Sequence, residues 1–271
     1  MSEIKTGNRD LYIHQWIPEH PRVLLFILHG VFEHGGRYKD FAHFLNKDGI
    51  GVIAADHFGH GRSPGLKGYI DSWSALVDDT DHWIKNYRNK YPGIPCFLLG
   101  HSLGGLLAVS YLTSINPQFD GVVLMSAALK VSDDISPLLQ KLAPVLATLA
   151  PKLKTVKLDA NAISRDPDVV EKYLNDPYVY TGKIYAQTGN ETLKTTRDIV
   201  RYFSEFKWPV LILHGTHDRL TDPAGSKKFY DDIDSRDKTL QLYEGAFHEL
   251  LNEPEKDQVM EGIRIWITSR I

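Results

Sequence analysis

Gly100-His101-Ser102-Leu103-Gly104-Gly105 follows the apolar run Cys96-Phe97-Leu98-Leu99 and leads into Leu106-Leu107-Ala108-Val109-Ser110-Tyr111. The pattern reads as a buried strand, a sharp turn and a helix, with a serine at the apex. Gly100 and Gly104 flank that serine in a G-x-S-x-G arrangement. Small residues there let strand and helix approach each other without Cβ collisions. The N-terminus of the helix then lies behind Ser102, and its free N–H groups favour a developing negative charge. The same residues also suit a glycine-rich turn whose serine merely caps a helix. The rest of the chain has to decide between the two.

Upstream, Leu11 to Ile17 alternates and reads as a strand at a sheet edge. Val23 to Leu28 and Gly51 to Ala55 are continuously apolar, as central strands buried on both faces are. Helical spacing covers Tyr38 to Asn46 and Ser72 to Tyr91. Downstream, Gly121 to Met125 is a further strand, after which the alternation stops at about Leu129 and resumes at about Thr195. A helix ending near Phe206, the strand Val210–Leu213, a helix over 227–233, the strand Leu240–Tyr243 and a helix from Glu255 complete the chain. Strands alternating with helices predict an α/β fold, a mostly parallel sheet covered on both faces. Residues 1–128 and 195–271 would form the core. Residues 129–194 would be an insertion over the C-terminal strand ends, where such sheets carry their sites.

Composition narrows the classes. The 271 residues are 42% hydrophobic with a net charge of −3, which gives no basic field for nucleic acid. Cys96 is the only cysteine, so no disulfide framework or cysteine zinc site forms within the chain. The polar start Met1-Ser2-Glu3-Ile4-Lys5 has no signal-peptide core, and no apolar run reaches bilayer-spanning length. A soluble cytoplasmic protein is the expectation, and the sequon Asn190-Glu191-Thr192 is read as chance.

A serine hydroxyl needs a base, usually a histidine oriented by a carboxylate. Of the twelve histidines, only His214, His217 and His248 follow the Ser102 turn. His248 ends Glu244-Gly245-Ala246-Phe247-His248, on a loop after the last strand, and is the expected base. Asp218, just past the strand before it, is the expected acid; Asp222-Pro223 reads better as a helix N-cap. Two N–H donors for a developing oxyanion would come from Leu103 and from Val31, beside Gly30. The pairs His57/His60 and His214/His217 have an i, i+3 spacing, but no cluster supplies three ligands at metal-enzyme spacing. Neither a metal nor a cofactor is expected.

Five motifs now resemble those of the monoacylglycerol lipase and lysophospholipase family. They are His29-Gly30-Val31-Phe32-Glu33-His34-Gly35-Gly36-Arg37-Tyr38, Asp56-His57-Phe58-Gly59-His60-Gly61-Arg62-Ser63, the Ser102 turn, Asp218-Arg219-Leu220 and the segment ending at His248. Ser164-Arg165-Asp166-Pro167 and Tyr173-Leu174-Asn175-Asp176-Pro177 are matching islands within the insertion. The resemblance implies an α/β-hydrolase fold in which 129–194 is a helical cap. It also implies a serine esterase acting on monoacylglycerol through an acyl-enzyme. Lysophospholipase, short-chain carboxylesterase and a non-catalytic binding protein on the same fold remain alternatives. By the same resemblance Glu33, Arg37, His101 and Tyr173 form a polar pocket for the alcohol. Without it, Glu33 and Arg37 read as a solvated pair. Phe32 departs from the family, which has a small residue there, and is expected to narrow the pocket.

The insertion has its own pattern. Leu139, Leu142, Leu146, Leu149 and Leu153 recur at near-heptad spacing as one apolar stripe. Lys141, Lys152, Lys154 and Lys157 accompany them with no acidic residue from Ile135 to Leu158, and Pro144 would kink the helix. Two readings stay open: a basic helix lying in a membrane interface, or leucines packed onto the domain below.

Overall fold

A computed structural model describes residues 2–6, 9–131 and 137–271, with side chains described from 9 to 131 and from 140 onward. The strands are β1 (Ser2–Thr6), β2 (Arg9–Trp16), β3 (Val23–Leu28), β4 (Ile50–Ala55), β5 (Cys96–His101), β6 (Gly121–Met125), β7 (Lys154–Lys157), β8 (Lys183–Tyr185), β9 (Val210–Gly215) and β10 (Lys238–Tyr243). Eight form one sheet in the order β1-β2-β4-β3-β5-β6-β9-β10, and β7 and β8 form a separate antiparallel pair. From β4 to β10 every pairing in the large sheet is parallel. β2 is therefore not the edge strand that its alternation suggests. It pairs antiparallel with both β1 and β4, and β1 lies outside it.

The helices are α1 (Lys39–Asn46), α2 (Trp73–Lys90), α3 (Leu103–Ile115), α4 (Pro137–Leu149), α5 (Pro167–Asn175), α6 (Ala186–Asp198), α7 (Pro223–Asp232) and α8 (Lys256–Thr268). They cover both sheet faces. Trp83, Leu106 and Phe229 belong to one apolar layer; Phe41, Leu45 and Ile263 belong to the other. β3, β4, β5, β6 and β9 are buried at every position because both of their faces meet helices. Each large side chain so buried contributes about 1.5–3 kcal/mol. Cys96 lies inside β5, and burial pushes its thiol up to about 11, so it behaves as a small hydrophobe.

Register brings the C-terminal strand ends level. Leu28 pairs with Gly100, Gly100 with Leu124, Met125 with Leu213 and Gly215 with Tyr243. The loops leaving β3, β5, β9 and β10 therefore open on one edge, as loops at this end of a parallel sheet do.

Between β6 and β9 the described residues add nothing to the main sheet and instead form α4, β7, α5, β8 and α6. α6 runs unbroken through Thr195. Thr196 Oγ1 donates to the Ala128 carbonyl at 3.2 Å, so the inserted chain leaves close to where it enters. The leucine stripe is not one helical face. α4 ends at Leu149, and Leu153 follows a turn before β7. Among the described residues of α4, Ala143 and Ala147 are buried, and Ala143 and Leu146 line a cavity. Leu142, Leu149 and Leu153 are 43%, 80% and 46% exposed, joined by Val145 and Val156. These three leucines stay largely exposed and do not form a buried packing face. Leu139, the first of the stripe, has its side chain outside the described residues.

Candidate active site

Ser102 ends β5 and opens α3 with φ 55° and ψ −121°, a conformation that costs a non-glycine residue energy and that surrounding structure must impose. The imposition is visible. Ser102 N–H donates to the Met125 carbonyl at 3.0 Å, and its carbonyl accepts from Ala128 N–H at 3.1 Å. α3 lies so close behind it that a Cβ on Gly100 would meet the Gly104 carbonyl oxygen at 2.4 Å, and one on Gly104 would meet the Leu28 carbonyl oxygen at 2.0 Å. The flanking glycines are thus a steric requirement of the turn.

His248 is buried on the loop after β10, and its Nδ1 lies 2.7 Å from Asp218 Oδ2. Asp218 stands three residues beyond β9 in a turn that aims donors at it. Leu220 and Thr221 N–H groups donate to Oδ1 at 2.8 and 3.0 Å, and Thr221 Oγ1 is 2.7 Å from Oδ2. His214 Nε2 lies 3.3 Å from the same oxygen. Burial alone would push the Asp218 carboxyl up; the charge of His248 and the bonds from His214 and His248 outweigh it and hold the group far below the carboxylate range. The converse holds for His248. Burial would lower it, but the Asp218 carboxylate outweighs burial and raises it above the ordinary imidazole value. With Nδ1 committed to Asp218, Nε2 is the free base. Asp222 stands elsewhere: it caps α7, accepting from Ala224 N–H at 2.8 Å, and pairs with Lys130.

The loop after β3 carries Val31. His29 is fully buried, and because His57 N–H donates to its Nε2 at 2.9 Å, its Nδ1 bears the proton given to the Gly30 carbonyl at 2.7 Å. That bond fixes the peptide plane whose other end is Val31 N–H. Burial pushes His57 and His60 down to about 4 and about 3, so both are neutral at physiological pH.

Glu33 and Arg37 are buried, not solvated. Glu33 accepts from Gly30 N–H at 2.7 Å, Tyr38 OH at 3.0 Å and Arg37 Nη1 at 2.9 Å. Arg37 in turn forks onto Glu249 with two bonds of 2.6 Å. Burial would raise Glu33, but Arg37, His101 and these bonds hold it ionised below its usual range. Burial lowers His101 to about 4, with help from the charge of His248. Removing one member of such a buried ionic cluster leaves an uncompensated charge, a loss of about 3–5 kcal/mol.

A cavity of about 280 Å³ joins these parts. Ser102, His248, Val31 and Leu103 line it together with Phe32, Glu33, His101, Tyr173 and Glu249. The inserted segment supplies an apolar arm that includes Leu146, Leu158, Ile163, Ile184 and Leu193. Arg37 does not line this cavity; it faces a smaller one of about 90 Å³ behind Glu33 and His101. Among the described residues, His14, His34 and Asp56 come together as metal-ligand types. Their atoms already serve as fasteners: Asp56 holds His14, Gly35 N–H and Arg62 N–H, and His34 holds Gly36 N–H and Asp176. The sequence does not single out Glu249 or Thr221, and it offers His214 only as a histidine at a strand end, not as a partner of Asp218. The one signal was position, since Glu249 adjoins His248 and the other two flank Asp218.

Residues 19–255 match the family described as serine aminopeptidase, S33. The chain is 36% identical over 257 residues to the monoacylglycerol lipase of Mycolicibacterium smegmatis, covering 94% of this chain and 92% of that protein. It is 33% identical over 271 residues to the monoglyceride lipase of Homo sapiens, covering 98% and 89%. The crystal structure of Paleococcus ferrophilus monoacylglycerol lipase superposes with a TM-score of 0.86 at 32% identity, over 96% of this chain and 99% of that one. The Ser102 turn, the parallel sheet and these full-length likenesses agree, and the chain belongs to the monoacylglycerol lipase and lysophospholipase family of α/β-hydrolases, as a serine hydrolase.

Proposed function

We propose that this enzyme hydrolyses monoacylglycerol to glycerol and a fatty acid, with Ser102 as nucleophile, His248 as base and Asp218 as the orienting acid. The observation that carries this reading is the mixed lining of one cavity. Apolar side chains of the inserted segment, among them Leu146, Ile163, Ile184 and Leu193, share it with Ser102 and His248 and with the polar Glu33, His101, Tyr173 and Glu249. An amphiphile with one acyl chain and a small polyol matches that lining. Ser102 Oγ attacks the ester carbonyl as His248 Nε2 takes its proton. The carbonyl oxygen becomes an oxyanion held by Val31 and Leu103 N–H groups. Collapse breaks the ester C–O bond, and imidazolium His248 gives its proton to the departing glycerol oxygen. Water, deprotonated by His248, then attacks the acyl-enzyme and frees the acid and Ser102. No cofactor enters these steps. Glu33, His101 and Tyr173 border the glycerol end, while Arg37 acts from behind by holding Glu33 and Glu249.

The test is a substrate panel with a fluorophosphonate probe. Ser102 is expected to label, and kcat/KM for monoolein is expected to exceed that for lysophosphatidylcholine by about tenfold or more, because the buried carboxylates Glu33 and Glu249 disfavour a phosphate at that end. A preference for lysophosphatidylcholine would replace this reading with lysophospholipase. Preference for p-nitrophenyl acetate over both lipids would make the enzyme a short-chain carboxylesterase.

Residues 129–194 act, on this reading, as a cap that meets lipid surfaces. No helix among the described residues is long and apolar enough to cross a membrane. The exposed Leu142, Val145, Leu149 and Leu153 lie among the exposed Lys141, Lys152 and Lys154. Apolar insertion and attraction to anionic headgroups would add, serving a cytoplasmic enzyme that works peripherally on membranes. Replacing Leu142 and Leu149 with serine should weaken binding to anionic vesicles and cut turnover of dispersed monoolein. Turnover of p-nitrophenyl acetate and the melting temperature should stay near wild type, since both side chains are exposed. Equal loss on both substrates with a lowered melting temperature would defeat the membrane reading.

A further inference from the structure

The resemblance noted in the sequence implies a small residue at position 32, and the backbone of Phe32 is of the kind that suits one. Its φ is 70°, in the left-handed region that glycine enters freely and a Cβ-bearing aromatic residue does not. Something must hold it there, and two of the holds come from the inserted segment. Tyr180 N–H donates to the Phe32 carbonyl at 2.9 Å. The Phe32 ring, 2% exposed, stands edge-on to the Tyr180 ring with centroids 5.0 Å apart. Gly68 leaves room for both rings, because a Cβ there would meet Phe32 Cε1 at 3.0 Å and Tyr180 Cδ1 at 2.4 Å.

The grip continues along the same loop. His34 Nε2 lies 3.0 Å from Asp176 Oδ2, and the Arg37 guanidinium sits 4.9 Å from the Tyr173 ring centre. Residues 32, 34 and 37 of the oxyanion loop thus meet residues 180, 176 and 173 of the inserted segment, in antiparallel order. On the other side of Val31 the holds come from the core: His29 fixes the Gly30 carbonyl, and Glu33 fixes Gly30 N–H.

We propose that the segment from Tyr173 to Tyr180 clamps the oxyanion loop, and that Phe32 is the positioning residue through which it keeps Val31 N–H aimed at the reacting carbonyl. This rests on the serine-esterase reading given above. It makes the inserted segment part of the rate-determining machinery and not only a wall for the acyl chain. Small displacements of a donor are costly because the oxyanion exists only in the transition state and the intermediates around it.

The experiment uses the full chain and p-nitrophenyl acetate, an ester too small to need the apolar arm. Phe32→Gly keeps the backbone geometry accessible and removes the ring. Tyr180→Ala removes the partner ring and leaves Phe32 in place, which guards against a glycine variant that fails to fold. Tyr180→Phe preserves the ring contact. The first two should lose about tenfold to a hundredfold in kcat with KM within about twofold, the signature of a misplaced donor. Both should bind a short trifluoromethyl ketone, whose Ser102 adduct carries an oxyanion, more weakly by a similar factor. Tyr180→Phe should match wild type in both measurements. Unchanged kcat and ketone affinity in folded Phe32→Gly and Tyr180→Ala, with altered KM for monoolein alone, would reduce Phe32 to a pocket wall and overturn the clamp. The wild-type preference for monoolein tests the substrate reading separately, because the clamp is judged by variant-to-wild-type ratios on p-nitrophenyl acetate.

Discussion

Ser102→Ala and His248→Ala are each expected to lose roughly 10⁵–10⁶ in kcat, and the double variant to lose scarcely more. The non-additivity follows from the geometry. The Ser102 hydroxyl is a weak nucleophile without a base, and His248 Nε2 has no proton to take without the hydroxyl. Whichever is removed first abolishes the function of the other. Residual turnover would come from the Val31 and Leu103 donors and from binding in the cavity, which both variants keep. The check is steady-state hydrolysis of a p-nitrophenyl ester, corrected by fluorophosphonate titration to exclude contaminating esterase. Independent, multiplicative losses in the double variant would show that the two side chains do not act as a unit. Wild-type turnover in either single variant would remove the triad assignment.

Asp218→Asn should cost about 10⁴-fold in kcat, while Asp222→Asn should stay within a few fold of wild type. The asparagine is nearly isosteric, so the loss reports charge and tautomer, not packing. The amide would offer His248 Nδ1 either a donor or a neutral acceptor in place of a carboxylate. The pH profile carries a second signature. Activity needs neutral His248, so kcat/KM falls as pH drops through the pKa of that imidazole. In the native enzyme burial would lower that pKa, but Asp218 outweighs it and raises the value above ordinary imidazole. The acid limb therefore lies at higher pH than an unperturbed histidine would give. Asp218→Asn deletes the largest raising charge and leaves burial opposed by the weaker charges of Glu249 and Glu33, so the residual activity should show its acid limb displaced to lower pH. If Asp222→Asn is the more damaging substitution, the acid has been assigned to the wrong residue.

The parts of this site that were legible in the sequence are those that neighbouring residues dictate. Gly100 and Gly104 are needed by the local turn, and the buried strands read as apolar runs because both of their faces are covered. Asp218 and His248 could be chosen because chain order and strand ends limit the options. What was not legible depends on residues far apart. Glu33 and Arg37 look like an exposed i, i+4 pair until Glu249, 212 positions beyond Arg37, closes over them. β2 has the alternation of an edge strand, and only its pairing with β1 places it inside the sheet. The leucines of α4 dominate its periodicity, yet Ala143 and Ala147 are the buried positions, because the hydrophobic pattern does not say which apolar side chains the rest of the chain covers. Phe32 could be noted as unusual from its type alone, but its positive φ and its bond to Tyr180 are facts of the folded chain.

The bond between Thr196 Oγ1 and the Ala128 carbonyl bears on how such enzymes diverge. A segment whose two ends already meet can be lengthened, shortened or exchanged with little change in the entropy of closing it, which grows only as the logarithm of length. The parallel sheet need not be rethreaded, and Ser102, His248 and Asp218, the proposed nucleophile, base and acid, all lie outside the exchanged stretch. Lineages are therefore free to try new lids on an old engine. Within this stretch the sequence resembles the family at Ser164-Arg165-Asp166-Pro167 and Tyr173-Leu174-Asn175-Asp176-Pro177. If the clamp on Phe32 holds, that freedom has a limit: a replacement lid must still reach back to the oxyanion loop, and its islands of constraint should fall at the residues that do so.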